Sequence, residues 1–289
     1  METIGTKPIF SFVDDPQKIE RISNQRIRES EGLFVKNYFD MMRLISTIQF
    51  RNQEYVLLFR GQKNDYKERN LSSIRPRIFR KLSKSPASRA PALGDSLAKR
   101  FRKLRLAENY LIDSFRGRGE AKQKISRQRI VRWSILQHYE ICDTPLLDVS
   151  QSARIAASFA SLDEQRKCYF YIFGIPTISG GITASAEAGI QIARLSSMCP
   201  PEAIRPHLQE GYLLGEYPEL GDPEQAELYE HHEIDFALRL IAKFSFDSEV
   251  FWKDRDFPPV SKDALLPDQL RDPFQGTADE IKSRLKIAG

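Results

Sequence analysis

The sequence predicts an α+β fold in which most strands pair antiparallel. Apolar side chains recur at helical spacing from Phe34 to Phe50, which indicates an amphipathic helix. The runs Tyr55–Phe59 and Cys168–Ile175 are almost continuously apolar and rich in aromatic or β-branched residues, as buried strands are. Helical patterns dominate the first half of the chain and strand patterns the second half. This segregation favours an α+β fold over an alternating α/β fold.

The other elements follow from turn, cap and periodicity signals. Residues 81–94 are rich in Pro, Ser and Ala and predict a loop. Either Ser150 or Ser152 can cap the helix that carries Ala153 to Leu162. The predicted elements, in chain order, are a helical stretch over 16–50, a strand ending at Arg60, helices at 95–115 and 123–139 with a turn at 116–119, a short strand at 145–149, a helix at 153–162, and strands at 168–175 and 236–246.

The length and composition fit one large domain with flanking segments. The chain has 289 residues, of which 41% are hydrophobic and 29% charged, so it can bury a substantial core. We expect residues 1–50 to form an N-terminal helical segment that packs on the core. The main domain then spans 51–250, with a basic helical insertion at 81–132, and a C-terminal tail with a helix spans 251–289.

Positive charge is concentrated in one part of the chain. The formal net charge is only +5, but Lys and Arg crowd the window from 60 to 132, whereas the tail after residue 208 is acidic. Such asymmetry is found in proteins that contact nucleic acid or another polyanion. The alternative is a solvated insertion whose helices have basic polar faces, since no groove-reading motif accompanies the charge.

Several classes of protein find no support in the sequence. No segment reaches eighteen consecutive apolar residues, and the N-terminus does not read as an export signal, so we expect a cytoplasmic protein without a membrane partner. Three cysteines without CxxC spacing predict neither a disulfide framework nor a zinc site. The pair His231–His232 cannot chelate one ion from adjacent helical positions, and we expect no metal. Cys142 is better explained as a buried thiol than as a nucleophile.

Two segments place polar and ligand-gripping residues directly after apolar runs. In the first, Arg60 leaves the end of a predicted strand, and Gly61 would let the backbone approach whatever Arg60 holds. The second runs from Gln137-His138-Tyr139 to Leu147-Asp148-Val149-Ser150. Together they predict a site for an anionic or polar ligand.

These segments resemble the FRG domain family, whose name is spelled by Phe59-Arg60-Gly61. The resemblance continues through Gln62, Tyr66 and the stretch from Leu71 to Ile74, then through Gln137-His138-Tyr139, Thr144 to Asp148, and the alanine-rich stretch 153–160. A third block, Arg205…Gln209-x-Gly211-x-Leu213, is similar to a later segment of that family. Glu140 stands where the family has a glycine, and Val149 where it has a tryptophan.

Within this resemblance, Ser150-Gln151-Ser152 and the alanines that follow are similar to the serine motif of ADP-ribosyltransferases. The resemblance implies a split antiparallel sheet and NAD as substrate. It implies that Arg60 binds the NAD phosphate and that Ser150 and Ser152 support the nicotinamide pocket. The other ligand-binding residues that it implies are Phe59, Gly61, Gln62, His138, Tyr139 and Asp148.

The third motif leaves the catalytic carboxylate open. The family resemblance puts Gln209 in the expected place, with Glu210 beside it and Glu216 as a further candidate. Alternation over Leu208–Leu214 predicts a strand in which Gln209 shares one face with Gly211, while Glu210 points away. A neutral amide there favours binding, whereas an inward Glu210 would favour catalysis.

Each site residue also has a plain structural explanation. Arg60 could tie a strand end to a helix, Ser150 could be an N-cap, and His138 could be a histidine at the edge of the core rather than a base. The sequence therefore supports two hypotheses. The first is an FRG-domain protein that binds NAD and transfers ADP-ribose or cleaves NAD, as a bacterial toxin or anti-phage effector would, with a protein or nucleic-acid acceptor. The second is a catalytically silent module that binds nucleic acid or a nucleotide.

Overall fold

A computed structural model describes residues 9–80, 95–162, 166–219, 235–253 and 256–287. The α-helices are α1 Asn24–Glu29, α2 Tyr38–Arg51, α3 Asp95–Ser114, α4 Gly119–Arg127, α5 Arg129–His138, α6 Ala153–Ala160, α7 Leu195–Met198, α8 Arg205–Leu208, α9 Ser248–Phe251, α10 Lys262–Leu265 and α11 Phe274–Ile287. Short 3-10 helices span Arg77–Phe79 and Phe236–Arg239. The predicted loop at 81–94 and the pair His231–His232 lie outside the described residues.

The strands are β1 Ile9–Ser11, β2 Glu20–Ile22, β3 Leu33–Phe34, β4 Val56–Gln62, β5 Lys67–Glu68, β6 Leu71–Ser72, β7 Leu147–Ser150, β8 Lys167–Ile175, β9 Ile182–Ser185, β10 Ile190–Arg194, β11 Gly211–Glu216 and β12 Leu240–Asp247. Eight of them form one sheet in the order β3-β12-β8-β4-β7-β11-β10-β9. All neighbours in it are antiparallel except β3 and β12. The predicted α+β class with mostly antiparallel pairing is confirmed.

The sheet is narrowly joined at its centre. On one side, β4 pairs with β8 over seven residues, and on the other β7 pairs with β11 over four. Between these halves, β4 and β7 share a single register pair, Phe59 with Ser150. The backbones of β4 and β7 therefore diverge beyond this pair and leave an opening in the sheet.

The N-terminal part contains strands as well as the predicted helix. Asn37 caps α2 by accepting a hydrogen bond from the Asp40 amide at 2.8 Å, and the helix buries its apolar face, including Leu44 and Ile48, in the core of the sheet. Asn52 ends the helix and pairs with both the amide and the carbonyl of Phe10 in β1. The prediction of a continuous helical stretch over 16–50 is wrong for β2 and β3.

A second layer of helices packs around its own apolar cluster. Helices α3, α4 and α5 from the basic window bury residues such as Phe101, Leu111 and Trp133 together, and α11 joins them through Ile281. Most of their lysines and arginines are exposed, but the Arg132 side chain is largely buried against Glu108. The predicted helix at 123–139 is broken into α4 and α5 at Gln128, whose extended backbone interrupts it. Residues Phe274–Ile287 of the C-terminal tail form the helix α11.

Two strand predictions are wrong in part. Residues 236–239 form a 3-10 helix capped by Asp235, so the last strand of the sheet starts only at Leu240. The predicted alternation from Leu208 fails because Leu208 ends α8 and Gln209 caps it, and Glu210 then has a φ of 44°. The strand β11 begins at Gly211. Among the described residues, no helix combines the length and apolar character needed to cross a bilayer.

Candidate functional site

A cleft of about 780 Å³ opens where β4 and β7 diverge. Residues at the ends of β4, β7, α5 and α8 line it, together with the turn around Arg77. Eight of the eleven predicted site residues are among them: Phe59, Arg60, Gly61, Gln62, His138, Asp148, Ser150 and Gln209. The structure thus brings together residues that are up to 150 positions apart in the chain.

Arg60 spans the junction between the two halves of the sheet. Its position on β4 is opposite Tyr171 of β8, and its Nη1 donates a hydrogen bond to the backbone carbonyl of Asp148 on β7. The guanidinium therefore ties β4 to β7 and also lines the cleft. Arg60 thus has the structural role and the position for ligand binding that the sequence offered as alternatives.

The Asp148 carboxylate is fixed by two neighbours. Gln137 Nε2 donates to its Oδ2 at 2.6 Å, and Thr144 in turn donates to Gln137 Oε1 at 2.8 Å. His138 Nδ1 lies 3.7 Å from Asp148 Oδ1. Burial alone would raise the pKa of Asp148, but the contact with His138, the charge of Arg60 and the hydrogen bond from Gln137 outweigh it and lower the pKa. Asp148 is therefore an anion at neutral pH.

His138 ends α5 and is only 3% exposed, yet it lines the cleft. Burial lowers its pKa below the usual 6.5, and the positive charge of Arg205 adds to that effect, while Asp148 and Asp272 oppose it. Among the described residues, its Nε2 atom has no hydrogen-bond partner. The imidazole is therefore neutral near pH 7 and keeps one nitrogen available to a ligand.

The two serines have different structural tasks. Ser150 Oγ donates to the carbonyl of Gln209 at 2.8 Å and accepts from the amide of Ser152 at 3.0 Å, so it ties β7 to the third motif. Ser152 is the N-cap of α6 and accepts from the amide of Ile155. Ser150 lines the cleft, whereas Ser152 lies outside it.

Gly61 allows α6 to cross directly over β4. A Cβ at Gly61 would lie 1.8 Å from the carbonyl oxygen of Ala156 and 2.9 Å from the Ala160 side chain. From the sequence, the backbone at Gly61 is expected to approach a ligand, but it is helix α6 that makes this close approach. Beside it, Phe59 is buried and stacks on Phe170 with ring centroids 5.5 Å apart.

The third motif forms a turn rather than a strand at its first residues. Gln209 is 6% exposed, lines the cleft, and donates from Nε2 to the carbonyl of Leu265 at 2.5 Å. Glu210 is exposed in a left-handed turn, and its carbonyl accepts from the Gln151 amide. Glu216 sits at the far end of β11, roughly 17 Å along the strand from Gly211. Neither glutamate lines the cleft.

Tyr139 is fully buried beside the cleft rather than in it. Its hydroxyl donates to Asp272 Oδ2 at 2.8 Å, and Asp272 also accepts from the backbone amides of Ile204 and Arg205, each at 3.2 Å. Asp272 therefore holds the start of α8 and places Arg205 at the cleft. Sequence reasoning missed Asp272 because it lies 133 residues from Tyr139 and carries no local pattern.

The lining of the cleft is predominantly cationic. It contains six Lys or Arg residues against three Asp or Glu residues: Arg60, Lys63, Arg77, Arg80, Arg100 and Arg205 against Glu140, Asp143 and Asp148. Arg100 Nη1 donates to the carbonyls of Arg77 and Ile78, and this positions the basic turn. The basic window predicted from the sequence thus contributes directly to the cleft.

The described residues contain no group of three His, Cys, Asp or Glu side chains arranged to hold a metal ion. Cys142 borders a smaller cavity of about 250 Å³ next to the cleft. Burial raises its pKa to about 12, with Asp143 adding to the shift, so the thiol is protonated at neutral pH.

Comparison with protein families gives one match, in which the model of the FRG domain aligns with residues 55–168. The matched segment runs from the residue before β4 into β8 and covers Arg60, His138, Asp148 and Ser150. It spans less than half of the chain and does not include Arg205, Gln209 or Asp272. Neither the curated proteins nor the solved structures gave a match.

Proposed function

We propose that the cleft binds NAD and that the protein cleaves the bond between nicotinamide and ribose, passing ADP-ribose to an acceptor or to water. The observation that carries this proposal is the opening of the sheet beyond Phe59 and Ser150, with Arg60 on one wall and Asp148 on the other. The volume of about 780 Å³ is within the range of cofactor and small-molecule sites. The resemblance to the split sheet of ADP-ribosyltransferases is consistent with this opening.

The cations of the cleft suit the diphosphate of NAD. Arg60 on β4 and Arg205 on α8 both line the cleft. Guanidinium groups bind phosphate oxygens in pairs, and such charge-assisted bonds are stronger than neutral ones. An excess of positive charge over the cleft also attracts the dianionic diphosphate of the ligand from solution.

Asp148 supplies the negative charge that the reaction needs. Cleavage of the glycosidic bond builds positive charge on the ribose ring, and a fixed carboxylate stabilises it. The Asp148 side chain is 39% exposed, so a ligand can touch it, while Gln137 keeps one oxygen in place. On this proposal Asp148 takes the catalytic role that the sequence assigned to Gln209 or Glu210. The wider role, a bacterial toxin or anti-phage effector acting in the cytoplasm, is carried by the family resemblance alone.

One observation favours the silent binding module as the second candidate. The Gln209 amide donates to the Leu265 carbonyl, so the third motif presents no carboxylate to the cleft. A protein that only binds a nucleotide or nucleic acid needs the cations and not the carboxylate. Measurable release of nicotinamide distinguishes the NAD-cleaving enzyme from the silent binding module.

The test combines nicotinamide release, followed by chromatography, with calorimetric titration of NAD. We expect Arg60→Ala to weaken NAD binding at least about tenfold, since hydrogen bonds to charged groups are worth roughly 1.5–3 kcal/mol. The matched control is Arg43→Ala, an exposed arginine on α2 outside the cleft. A wild-type protein that binds NAD without releasing nicotinamide would support the binding module. Equal NAD affinities for wild type and Arg60→Ala would overturn the proposed site.

Loss of the bond from Arg60 to the Asp148 carbonyl also affects folding. We expect a cost of about 1 kcal/mol for it. Thermal unfolding of Arg60→Ala and Arg60→Lys therefore accompanies the titrations. Because Arg60→Lys keeps the charge without the planar fork, it should retain part of the affinity.

A further inference from the structure

We infer that His138 and Asp148 form a general-base dyad that removes the proton from a hydroxyl acceptor as it attacks the ribose. The inference rests on the proposed function and names the acceptor chemistry of the same cleft. The acceptor class is a hydroxyl group, whether of water or of a larger molecule.

The geometry of the dyad follows from the ends of two elements. His138 is the last residue of α5 and Asp148 is the second residue of β7, with Nδ1 and Oδ1 3.7 Å apart. Hydrogen bonds between catalytic groups are often long before the substrate binds and shorten in the complex. Gln137 holds the other carboxylate oxygen at 2.6 Å, which leaves Oδ1 facing the imidazole. An Nδ1–H donated to Oδ1 makes Nε2 the proton acceptor.

The acceptor nitrogen is a buried atom of a residue that lines the cleft. His138 lines the cleft, and its buried Nε2 has no hydrogen-bond partner among the described residues. A buried polar atom without a partner is costly, and such atoms are concentrated at functional sites. Gly211 packs near the ring, because a Cβ there would lie 3.6 Å from His138 Cε1.

Burial keeps the imidazole in its basic form against two nearby carboxylates. Asp148 on β7 and Asp272 before α11 favour the protonated ring, whereas Arg205 on α8 and the burial of the ring disfavour it. Burial is the largest of these effects, so the pKa of His138 is lowered. The neutral ring can therefore accept a proton at pH 7. The nearby Asp148 carboxylate stabilises the imidazolium that forms.

The step balances without any further reactant. The bond between the ribose C1′ and the nicotinamide nitrogen breaks, and its electron pair leaves with neutral nicotinamide. The hydroxyl oxygen of the acceptor forms a new bond to C1′, and its proton moves to His138 Nε2. A carboxylate acceptor has no proton to give and would not need this dyad.

The test compares His138→Gln, His138→Ala and Asp148→Asn with the wild type. We expect NAD affinity to change less than about threefold for the His138 variants, while kcat for nicotinamide release falls about 10²–10⁴-fold, as general-base catalysis predicts. Added imidazole should restore part of the activity of His138→Ala. The matched control is His207→Gln, an exposed histidine on α8 that should keep the wild-type rate.

The pH dependence of the wild type tests the dyad without a variant. Because the base must be neutral, kcat/KM should fall as pH drops through the pKa of His138, which lies below 6.5. A kcat/KM that stays constant from neutral pH down to the pH at which the protein unfolds would overturn the inference. The fall of kcat/KM at low pH should be absent from the activity that His138→Gln retains.

Product analysis separates the two hydroxyl sources and the competing chemistry. Free ADP-ribose indicates that water is the acceptor. An acetal on a hydroxyl of a larger molecule indicates transfer to that molecule. Either product supports the inference. An ester of ADP-ribose with a carboxylate would overturn it, as would an unchanged rate in His138→Ala. A wild type that neither binds NAD nor releases nicotinamide would overturn the proposed function, and this inference with it.

Discussion

The carbonyl oxygen of Ala156 lies 1.8 Å from the point where a Cβ on Gly61 would stand. Helix α6 therefore crosses β4 with its backbone against the strand. The N-terminus of α6, capped by Ser152, follows the end of β7 at Ser150 directly in the chain. The Gly61 of the FRG segment and the alanines of α6 thus form one packing unit that sets one wall of the cleft.

Gly61→Ala should destabilise the protein by about 3 kcal/mol, because neither backbone can give way without moving a strand or a helix. Urea unfolding measures the loss. Gly276→Ala is the control, since the nearest atom to its Cβ is the flexible end of the Gln269 side chain. A helix favours alanine over glycine, so this change should be neutral or slightly stabilising. Equal midpoints for the two variants would contradict the packing argument.

Asp272→Ala should destabilise the protein and weaken ligand binding together. The carboxylate is fully buried and accepts from the Tyr139 hydroxyl and two backbone amides. Its loss leaves one fully buried donor and two partly buried ones without an acceptor, at about 1–3 kcal/mol for each buried group left unpaired. We expect a loss of at least about 3 kcal/mol in unfolding free energy and a weaker NAD affinity, since Arg205 is no longer held.

The control for Asp272 is Asp279→Ala on α11, which begins two residues after Asp272. Asp279 is largely exposed, bonded to the Gln275 side chain and paired with Lys282 at 3.6 Å. Exposed pairs of this kind contribute at most about 1 kcal/mol. If Asp272→Ala is as mild as Asp279→Ala, the proposed anchoring of α8 is wrong.

Lys243 and Asp65 form a buried ion pair beneath the loop that follows Arg60. Lys243 Nζ lies 2.9 Å from Asp65 Oδ2, and the Lys243 side chain is fully buried. Asp65 also accepts from Tyr171 and Ser72. Lys243→Met should cost about 3–5 kcal/mol, because it leaves the buried carboxylate with only the more distant Lys67, 3.9 Å away, as counter-charge.

A double-mutant cycle checks this prediction. Asp65→Asn in the Lys243→Met background removes the uncompensated charge and should recover part of the stability. Calorimetric unfolding of the four proteins gives the coupling free energy. An additive cycle would show that the pair is not energetically linked. Because Tyr66 lines the cleft next to Asp65, NAD titration of each variant shows whether the pair also positions the loop.

Salt dependence distinguishes a polyanion site from solvated charge. If the cleft or its basic rim binds nucleic acid, affinity for a single-stranded oligonucleotide should fall with salt, with a slope of about −0.7 per phosphate neutralised. Arg77 is 57% exposed and paired with Asp143. Because it is exposed enough to contact a phosphate, Arg77→Ala should reduce the magnitude of the slope by about 0.7, the contribution of one phosphate contact. Filter binding with Arg43→Ala as control measures it. Absence of binding at low salt would contradict the prediction.

The sequence determined those features that local pattern encodes. Apolar runs are enough to define β4 and β8, and a serine before an alanine-rich stretch is enough to define the start of α6. Alternation did not locate β11, because the residues before Gly211 are held by partners far along the chain. Gln209 donates to a carbonyl 56 residues away, and a turn at Glu210 follows.

The α+β class, the strand that carries Arg60, the motif residues and the concentration of basic residues around them were all predictable from the sequence, although that strand runs on to Gln62 instead of ending at Arg60. Folding was needed to show that Gly61 serves helix packing, that Asp148 rather than Glu210 lines the cleft, and that Asp272 anchors Arg205. Local periodicity reports which face of an element is apolar, and that depends on neighbours a few residues away. The partner of a buried polar group is chosen by contacts such as that between Tyr139 and Asp272, 133 residues apart, which exist only when the chain is folded.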